Sequence, residues 1–302
     1  MSAPLVSAVV VTRGRPELAA RCVRSLAMNR YRPLEVVVLD NSEPAEQQQL
    51  ARAIAKLGLP IRHIASSPNG FGALRREAFE AAEGELLMSI DDDCIAADDA
   101  IERIVAAFRA HPEAGIVGGN LDNVGFEGAD RMKGRGKFGT NLRYLPVEDP
   151  NEADLFGSAN QTIRREAYEA AGGYDPFLVD GLEEADLALG IAAAGYTTHY
   201  AADVKIEHHH SPSRFRNRWQ NLERMRLYLW FKHRGGPTPA FLAREVALWC
   251  GDLGRELRSI PKRQRAFGHA LPFRATAAAL FGMLKATLAR LQMPSLWWQA
   301  RR

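Results

Sequence analysis

The chain has 302 residues, 46% hydrophobic and 25% charged, enough for one large α/β domain with an appendage or for two ordinary domains, and too apolar for a disordered chain. Its formal net charge of +3 conceals a division: residues 213–302 carry 18 Lys and Arg against 4 Asp and Glu, and residues 1–212 carry 21 against 32. A basic tail on an acidic body implies an anionic partner, a membrane surface or a nucleic acid, or else a solvated helix face, and no nucleic-acid-binding motif accompanies the charge.

The first apolar run, LVSAVVV (5–11), lacks a preceding basic segment and stops at Arg13, so it reads as a first strand and not as a secretion signal. Further runs follow in chain order: LEVVVLD (34–40), PIRHIASS (60–67), ELLMSI (85–90) and GIVGGNL (115–121). Helical patterns separate them, from PELAARCVRSLAM to a predicted helix over 98–110. Short apolar strands alternating with helices predict βαβ units around a mostly parallel sheet covered on both faces.

Residues 122–152 mix glycine, charge and aromatics without a period, as a lid or binding loop does. Beyond it, residues 155–178 and 181–196 read as two helical stretches, and TTHYAADVKIEHHHS (197–211) as strands ending in three histidines. The composition turns Arg-rich after Pro212, which places a domain boundary there: 1–212 as one domain and 213–302 as a helical appendage. Cys22, Cys94 and Cys250 show neither disulfide nor zinc spacing, which fits a reducing compartment. No stretch is long and apolar enough to span a membrane.

Ligands of open parallel sheets sit at the carboxyl ends of the strands. Those ends are polar here: Thr12 and Arg13, then Asp40, Asn41 and Ser42, then Pro68, Asn69 and Gly70, then Asp91, Asp92 and Asp93. TRGRPE lacks the GxGxxG fingerprint and there is no phosphate-binding P-loop, which demotes dinucleotide binding and P-loop hydrolysis. Adjacent carboxylates raise the cost of ionising one another, and a divalent cation held jointly with substrate phosphates would relieve that repulsion, Mg2+ or Mn2+ by the hardness of the ligands. A solvated acidic turn is the bland alternative.

These residues resemble family 2 of the glycosyltransferases, inverting enzymes with a GT-A fold and nucleotide-sugar donors. The resemblance spans roughly residues 5–212 and rests on VVVTRGRPE, LDNS, NGFGALR, SIDDD, FGSANQTIRREAYEAAGGYD, LEEADLALGIAAAGY and VKIEHHHS in the family's order. It implies that Thr12, Arg13, Asp40, Asn69, Arg75, Asp91 and Asp92 bind the donor, that Asp91, Asp93 and His208 hold Mn2+ or Mg2+, and that Gly157, Ser158, Asn160 and Glu183 face the acceptor. His209 and His210 are alternatives to His208. The family's general base, an Asp in a Glu-Asp pair, corresponds to Glu184, with Asp186 as a helical neighbour able to substitute. Arg76 and Gly190 depart from residues common in relatives, Asn and Arg, and bear on donor preference and on acceptor or pyrophosphate contacts.

The expected activity is a metal-dependent inverting transfer from a nucleoside diphosphate sugar, UDP first among bases, to a glycan or lipid-linked acceptor in bacterial cell-surface polysaccharide assembly, as in galactofuranosyl and rhamnosyl transferases. A sugar nucleotidyltransferase or a silent sugar-nucleotide-binding or glycan-binding subunit are the alternatives. Residues 271–293 with the following LWWQARR read as an interfacial helix at the cytoplasmic face of the membrane, or as a packed helical hairpin. Trp219, Tyr228 and Trp230 are candidates for stacking on sugar or lipid, or for packing.

Overall fold

The computed structural model describes residues 3–67, 70–125, 134–179, 181–209, 218–267 and 291–300. The chain divides into two compact units: Met1–Lys137 with Tyr144–Arg214, and Phe138–Arg143 with Phe215–Arg302.

In the first unit, β1 (Val6–Thr12), β2 (Leu34–Asp40), β3 (Ile61–Ala65) and β4 (Leu86–Asp91) alternate with α1 (Pro16–Ala27), α2 (Pro44–Ile54) and α3 (Phe71–Ala81). There follow β5 (Cys94–Ala96), α4 (Ala100–Ala110) and β6 (Ala114–Asn123). Strands β1 and β2 are buried almost throughout, which is why they read as continuous apolar runs and not as an alternation. Helix α1 buries Ala19, Ala20, Val23 and Leu26, a helical stripe lying on that sheet.

The eight-stranded sheet has the order β3-β2-β1-β4-β10-β6-β11-β5, with β10 at Gln161–Arg164 and β11 at Thr197–His208. It is parallel among β3, β2, β1 and β4 and between β6 and β11. Strand β10 runs antiparallel between β4 and β6, and β5 antiparallel along β11. The stretch 155–178, expected as helix, holds β9 (Leu155–Phe156), a 3-10 turn at Ser158–Asn160, β10 and only a short α5 (Arg165–Ala170). Gln161, Thr162 and Ile163 are buried, and a strand buried on both faces has no period by which to tell it from helix.

The region 122–152, expected as a loop, carries β7 (Arg135–Phe138) and β8 (Tyr144–Pro146), which with β9 form a small sheet ordered β8-β7-β9. Helix α6 (Glu183–Ala193) is buried along most of its length, and Gly190 lies where a Cβ would come within 3.0 Å of the Ala171 methyl, so its lack of a side chain lets α6 approach the end of α5.

The loop from Asp175 to Val179, ahead of α6, caps the start of α3: Phe71 N–H donates to Val179 O at 3.1 Å and Gly72 N–H to Leu178 O at 2.9 Å. Arg76 strengthens the junction by donating to Glu80 and to the carbonyls of Gly172 and Tyr174. This docking brings α3 and the head of α6 together.

In the second unit, α7 (Arg218–Arg234), α8 (Pro239–Phe267) and α9 (Met293–Gln299) join the segment 138–143. Arg226 is buried between Glu223 and Glu245 at 2.8–3.1 Å, and Asn141 donates to Glu245 at 2.8 Å while its carbonyl accepts from Arg226. Arg143 pairs with Asp252 at 2.7 Å. Trp230 stacks on Phe241 with centroids 4.8 Å apart, and Tyr228 is buried, so both pack within this unit. The side chain of Trp219, the expected interfacial helix up to residue 290, Asn69 and His210 lie outside the described residues. Among the described residues no helix is long and apolar enough to cross a membrane.

A Cβ on Gly72 would stand 2.0 Å from the Asp175 carbonyl oxygen and 2.9 Å from that of Leu178. Gly72→Ala is therefore expected to expel the capping loop and to lower unfolding stability by about 1–3 kcal/mol, the range for overpacking a closed site, read by chemical denaturation.

Candidate active site

The site is built at the carboxyl ends of β1, β2 and β4, where the sheet hands over to polar residues. Gly14 has φ +67°, a left-handed turn that glycine adopts without strain, and its N–H donates to Ser42 Oγ at 2.7 Å, tying the β1 end to the β2 end. Asp40 is buried at the end of β2, accepting from Ser42 N–H at 3.0 Å and lying 2.9 Å from His63 Nε2. Burial opposes its charge, but the hydrogen bonds from His63 and Ser42 prevail and hold the Asp40 carboxyl below its ordinary range.

The three aspartates each find compensation. Asp92, 1% exposed, accepts from Thr12 Oγ1 at 2.7 Å and pairs with Arg15 Nη2 at 2.8 Å. Burial, with the charges of Asp91 and Asp93, still pushes its carboxyl up to about 6, against the pull of Arg15 and Thr12. Asp93 lies 3.3 Å from Arg15 Nη1 on one oxygen and 3.1 Å from His208 Nε2 on the other. Burial alone would depress His208; the hydrogen bond to Asp93 and the charges of Asp91 and Asp93 outweigh it and raise the imidazole above its usual value. The antiparallel pairing of β5 with β11 fixes this meeting, since His208 lies opposite Cys94, and His209 N–H donates to Asp93 O at 2.9 Å. His209 Nε2 lies 3.1 Å from Glu207.

Asp91 belongs to a second cluster. Its Oδ1 accepts from Ser158 Oγ at 3.0 Å and from Arg75 Nη2 at 3.4 Å. Arg75, 5% exposed on α3, also donates to Ser89 Oγ at 3.0 Å and to Glu183 Oε1 at 3.1 Å. Burial disfavours its charge, but Asp91, Glu183 and Glu184 surround it and raise its pKa further, so it stays a cation. Glu183 is 2% exposed; burial, then the charge of Glu184, pushes its carboxyl up to about 8 despite Arg75. Its Oε2 is buried with no hydrogen-bond partner among the described residues.

Glu184, half-buried on the first turn of α6, accepts from Ser158 N–H at 3.2 Å. Ser158 thus joins the aspartate cluster, through its hydroxyl, to Glu184, through its amide. Leu182, just before α6, has φ +67° and ψ 8°, a left-handed conformation costly for leucine and tolerated where the surroundings fix it.

The structure therefore brings together Thr12, Asp91, Asp92, Asp93, Arg75, Ser158, Glu183, Glu184 and His208, with Asp40 at the neighbouring strand end. Arg13 is exposed, and among the described residues no polar contact ties it to the aspartates; Arg15, which sequence reasoning passed over, makes those contacts. Asn160 is buried and accepts from Gly119 N–H at 3.0 Å, and Gly157 lies against Gly134, so both shape the wall near Ser158. Asp186 is 3% exposed within α6 and Glu183 faces Arg75, which leaves Glu184 as the accessible carboxylate of the three. Ser158 as the bridge and Glu183 as an interior partner of Arg75 had no separate signal in the sequence.

The donor atoms suit a divalent cation. Asp93 Oδ1 and His208 Nε2, 3.1 Å apart, match neighbouring ligands on an octahedral ion bound at about 2.1 Å, and an oxygen-rich set with one imidazole fits Mn2+ or Mg2+.

Known proteins resemble this chain in sequence and in fold. The chain is 27% identical over 230 residues to the O-antigen biosynthesis protein RfbC of Myxococcus xanthus, covering 70% of this chain and 18% of that protein. It is 25% identical over 181 residues to the glucosyl-dolichyl phosphate glucuronosyltransferase of Haloferax volcanii, covering 56% of each. The chain thus spans about half or less of the length of these relatives. A crystal structure of GalNAc-T7 with UDP, GalNAc and Mn2+ superposes with a TM-score of 0.63 at 16% identity, covering 79% of this chain and 52% of that one, which shows a shared GT-A fold. The model of the family described as Glycosyl transferase family 2 matches residues 7–172, more than half of the sequence, and the chain belongs to that family.

Proposed function

We propose that this protein is a divalent-cation-dependent, inverting glycosyltransferase that moves a sugar from a nucleoside diphosphate, UDP first, to a hydroxyl of a glycan or lipid-linked acceptor in cell-surface polysaccharide assembly. The observation that carries the proposal is Ser158. One residue binds Asp91 through its hydroxyl at 3.0 Å and Glu184 through its amide at 3.2 Å, so the aspartate-bearing end of β4 and an accessible carboxylate lie within reach of one another.

In this reading Glu184 Oε takes the proton of the acceptor hydroxyl as its oxygen attacks the anomeric carbon. The bond from that carbon to the diphosphate oxygen breaks on the opposite face, so configuration inverts. A cation held by Asp91, Asp93 and His208 would supply positive charge at the departing diphosphate. Arg75, charged and fixed by Ser89, Asp91 and Glu183, holds Asp91 in place, and Glu183 serves to position Arg75 more than to touch the acceptor. Arg15 orients Asp92 and Asp93, and Asp40 holds His63 and Ser42 at the strand end where the nucleoside would bind. The UDP and Mn2+ in the GalNAc-T7 structure and the O-antigen biosynthesis for which RfbC is named support a cation-dependent sugar transfer.

Residues 1–212 carry the chemistry in this proposal. The basic region 213–302 holds the enzyme against anionic lipid at the inner face of the membrane, where a lipid-linked acceptor would be found. Sedimentation with anionic vesicles at low salt, lost at high salt, is the expected result.

Three outcomes test the site. Thermal stabilisation by UDP-, GDP- or dTDP-sugars is expected to require Mn2+ or Mg2+, to vanish on chelation, and to disappear in Asp93→Ala. Glu184→Gln is expected to keep the donor-induced stabilisation but lose transfer by about 10²–10⁴-fold, as removal of a general base does. Product analysis should show nucleoside diphosphate and an inverted anomer; pyrophosphate instead would make the protein a nucleotidyltransferase, and stabilisation without turnover on any acceptor would make it a binding subunit.

A further inference from the structure

Cys94 follows the third aspartate directly and is fully buried. The register of β5 against β11 places it opposite His208, and residues paired across an antiparallel ladder present their side chains to the same face. The Cys94 sulfur, an Asp93 carboxylate oxygen and a His208 ring nitrogen all lie within 4.8 Å of one another. The convergence is set by backbone register on two sides and by the 3.1 Å contact between Asp93 Oδ1 and His208 Nε2 on the third.

We propose that Cys94 is a further ligand of the cation bound by Asp93 and His208, which extends the ions accepted by the oxygen and imidazole ligands to borderline-soft ones such as Zn2+ and Co2+. The inference rests on the reading of Asp93 and His208 as cation ligands. On binding, the Cys94 thiol gives its proton to solvent and its thiolate bonds the ion, whose charge stabilises that form. A sulfur, an imidazole nitrogen and a carboxylate oxygen leave at least one position for an oxygen of Asp91 or of the donor diphosphate, as open sites with three protein ligands do. A cysteine that served only as a small apolar filler would leave no trace in the spectrum of a bound metal.

The experiment is a titration of the full chain with Co2+, followed by absorption, and competition of Co2+ by Zn2+ and by Mn2+. A thiolate-to-cobalt charge-transfer band is expected in the wild type and is expected to be absent in Cys94→Ser, Cys94→Ala and His208→Ala; the last leaves the buried sulfur site intact and serves if the cysteine variants fail to fold. The ratio of Zn2+ to Mn2+ affinity should fall about tenfold or more in Cys94→Ser, at least the loss caused by removing an outer-shell partner. Co2+ bound with ligand-field bands but no charge-transfer band, a band that persists in Cys94→Ser and so belongs to Cys22 or Cys250, or no Co2+ binding to folded protein would each overturn the proposal. The first two leave the transferase reading standing, whereas a Cys94-dependent band in a protein that transfers no sugar with any ion would keep the site and remove the reaction.

Discussion

Three consecutive carboxylates at the end of a buried strand set the terms for everything around them. Each needs a partner, and the fold delivers one from a different direction: Arg15 and Thr12 from the end of β1, His208 from the end of β11, Arg75 from α3 and Ser158 from the turn before β10. Buried charges without partners cost several kcal/mol each, so these elements must reach the β4 end in register. The docking of residues 175–179 on the head of α3 answers the same need, because it carries Glu183 to the back of Arg75.

Much of this was legible in the sequence. Strands β1, β2 and β4 announce themselves because parallel strands covered on both faces are nearly continuously apolar, and their polar ends then mark the ligand side of the sheet. The aspartate triplet is visible because adjacent carboxylates at a strand end call for charge compensation, which a solvated acidic turn would not need. His208 could be named only through resemblance, since the sequence places it 115 residues from Asp93, and only the pairing of β5 with β11 brings them together.

Other features depend on geometry that spacing does not encode. Arg13 and Arg15 are equivalent in composition, and the left-handed turn at Gly14 decides which of them meets the aspartates. Helix α6 is buried on nearly all sides, so Glu183 and Asp186 point inward and, of the three acids on its first turn, only Glu184 stays accessible. Arg76 and Gly190, read from the sequence as departures bearing on ligand contacts, are used in packing: Arg76 clamps the turn at 172–174 and Gly190 admits Ala171. Cys94 showed no metal spacing because its partner lies across a strand pair and not along the chain.

The charge balance that results explains why a nucleotide and a cation would bind together. Asp91, Asp92, Asp93, Glu183 and Glu184 face Arg15, Arg75 and His208, so negative charge remains in excess even with His208 protonated. Two buried carboxyls of this cluster, Asp92 and Glu183, relieve part of it by rising to about 6 and about 8, which is the response of carboxyls that burial has deprived of water. A diphosphate alone would meet repulsion at this cluster, and a lone divalent cation would leave its remaining coordination positions to water. Together they would add little net charge, and diphosphate oxygens would complete a shell begun by Asp93 and His208. In the proposed reading each ligand would raise the affinity for the other by the same factor, and the leaving group would arrive already paired with the charge that it needs.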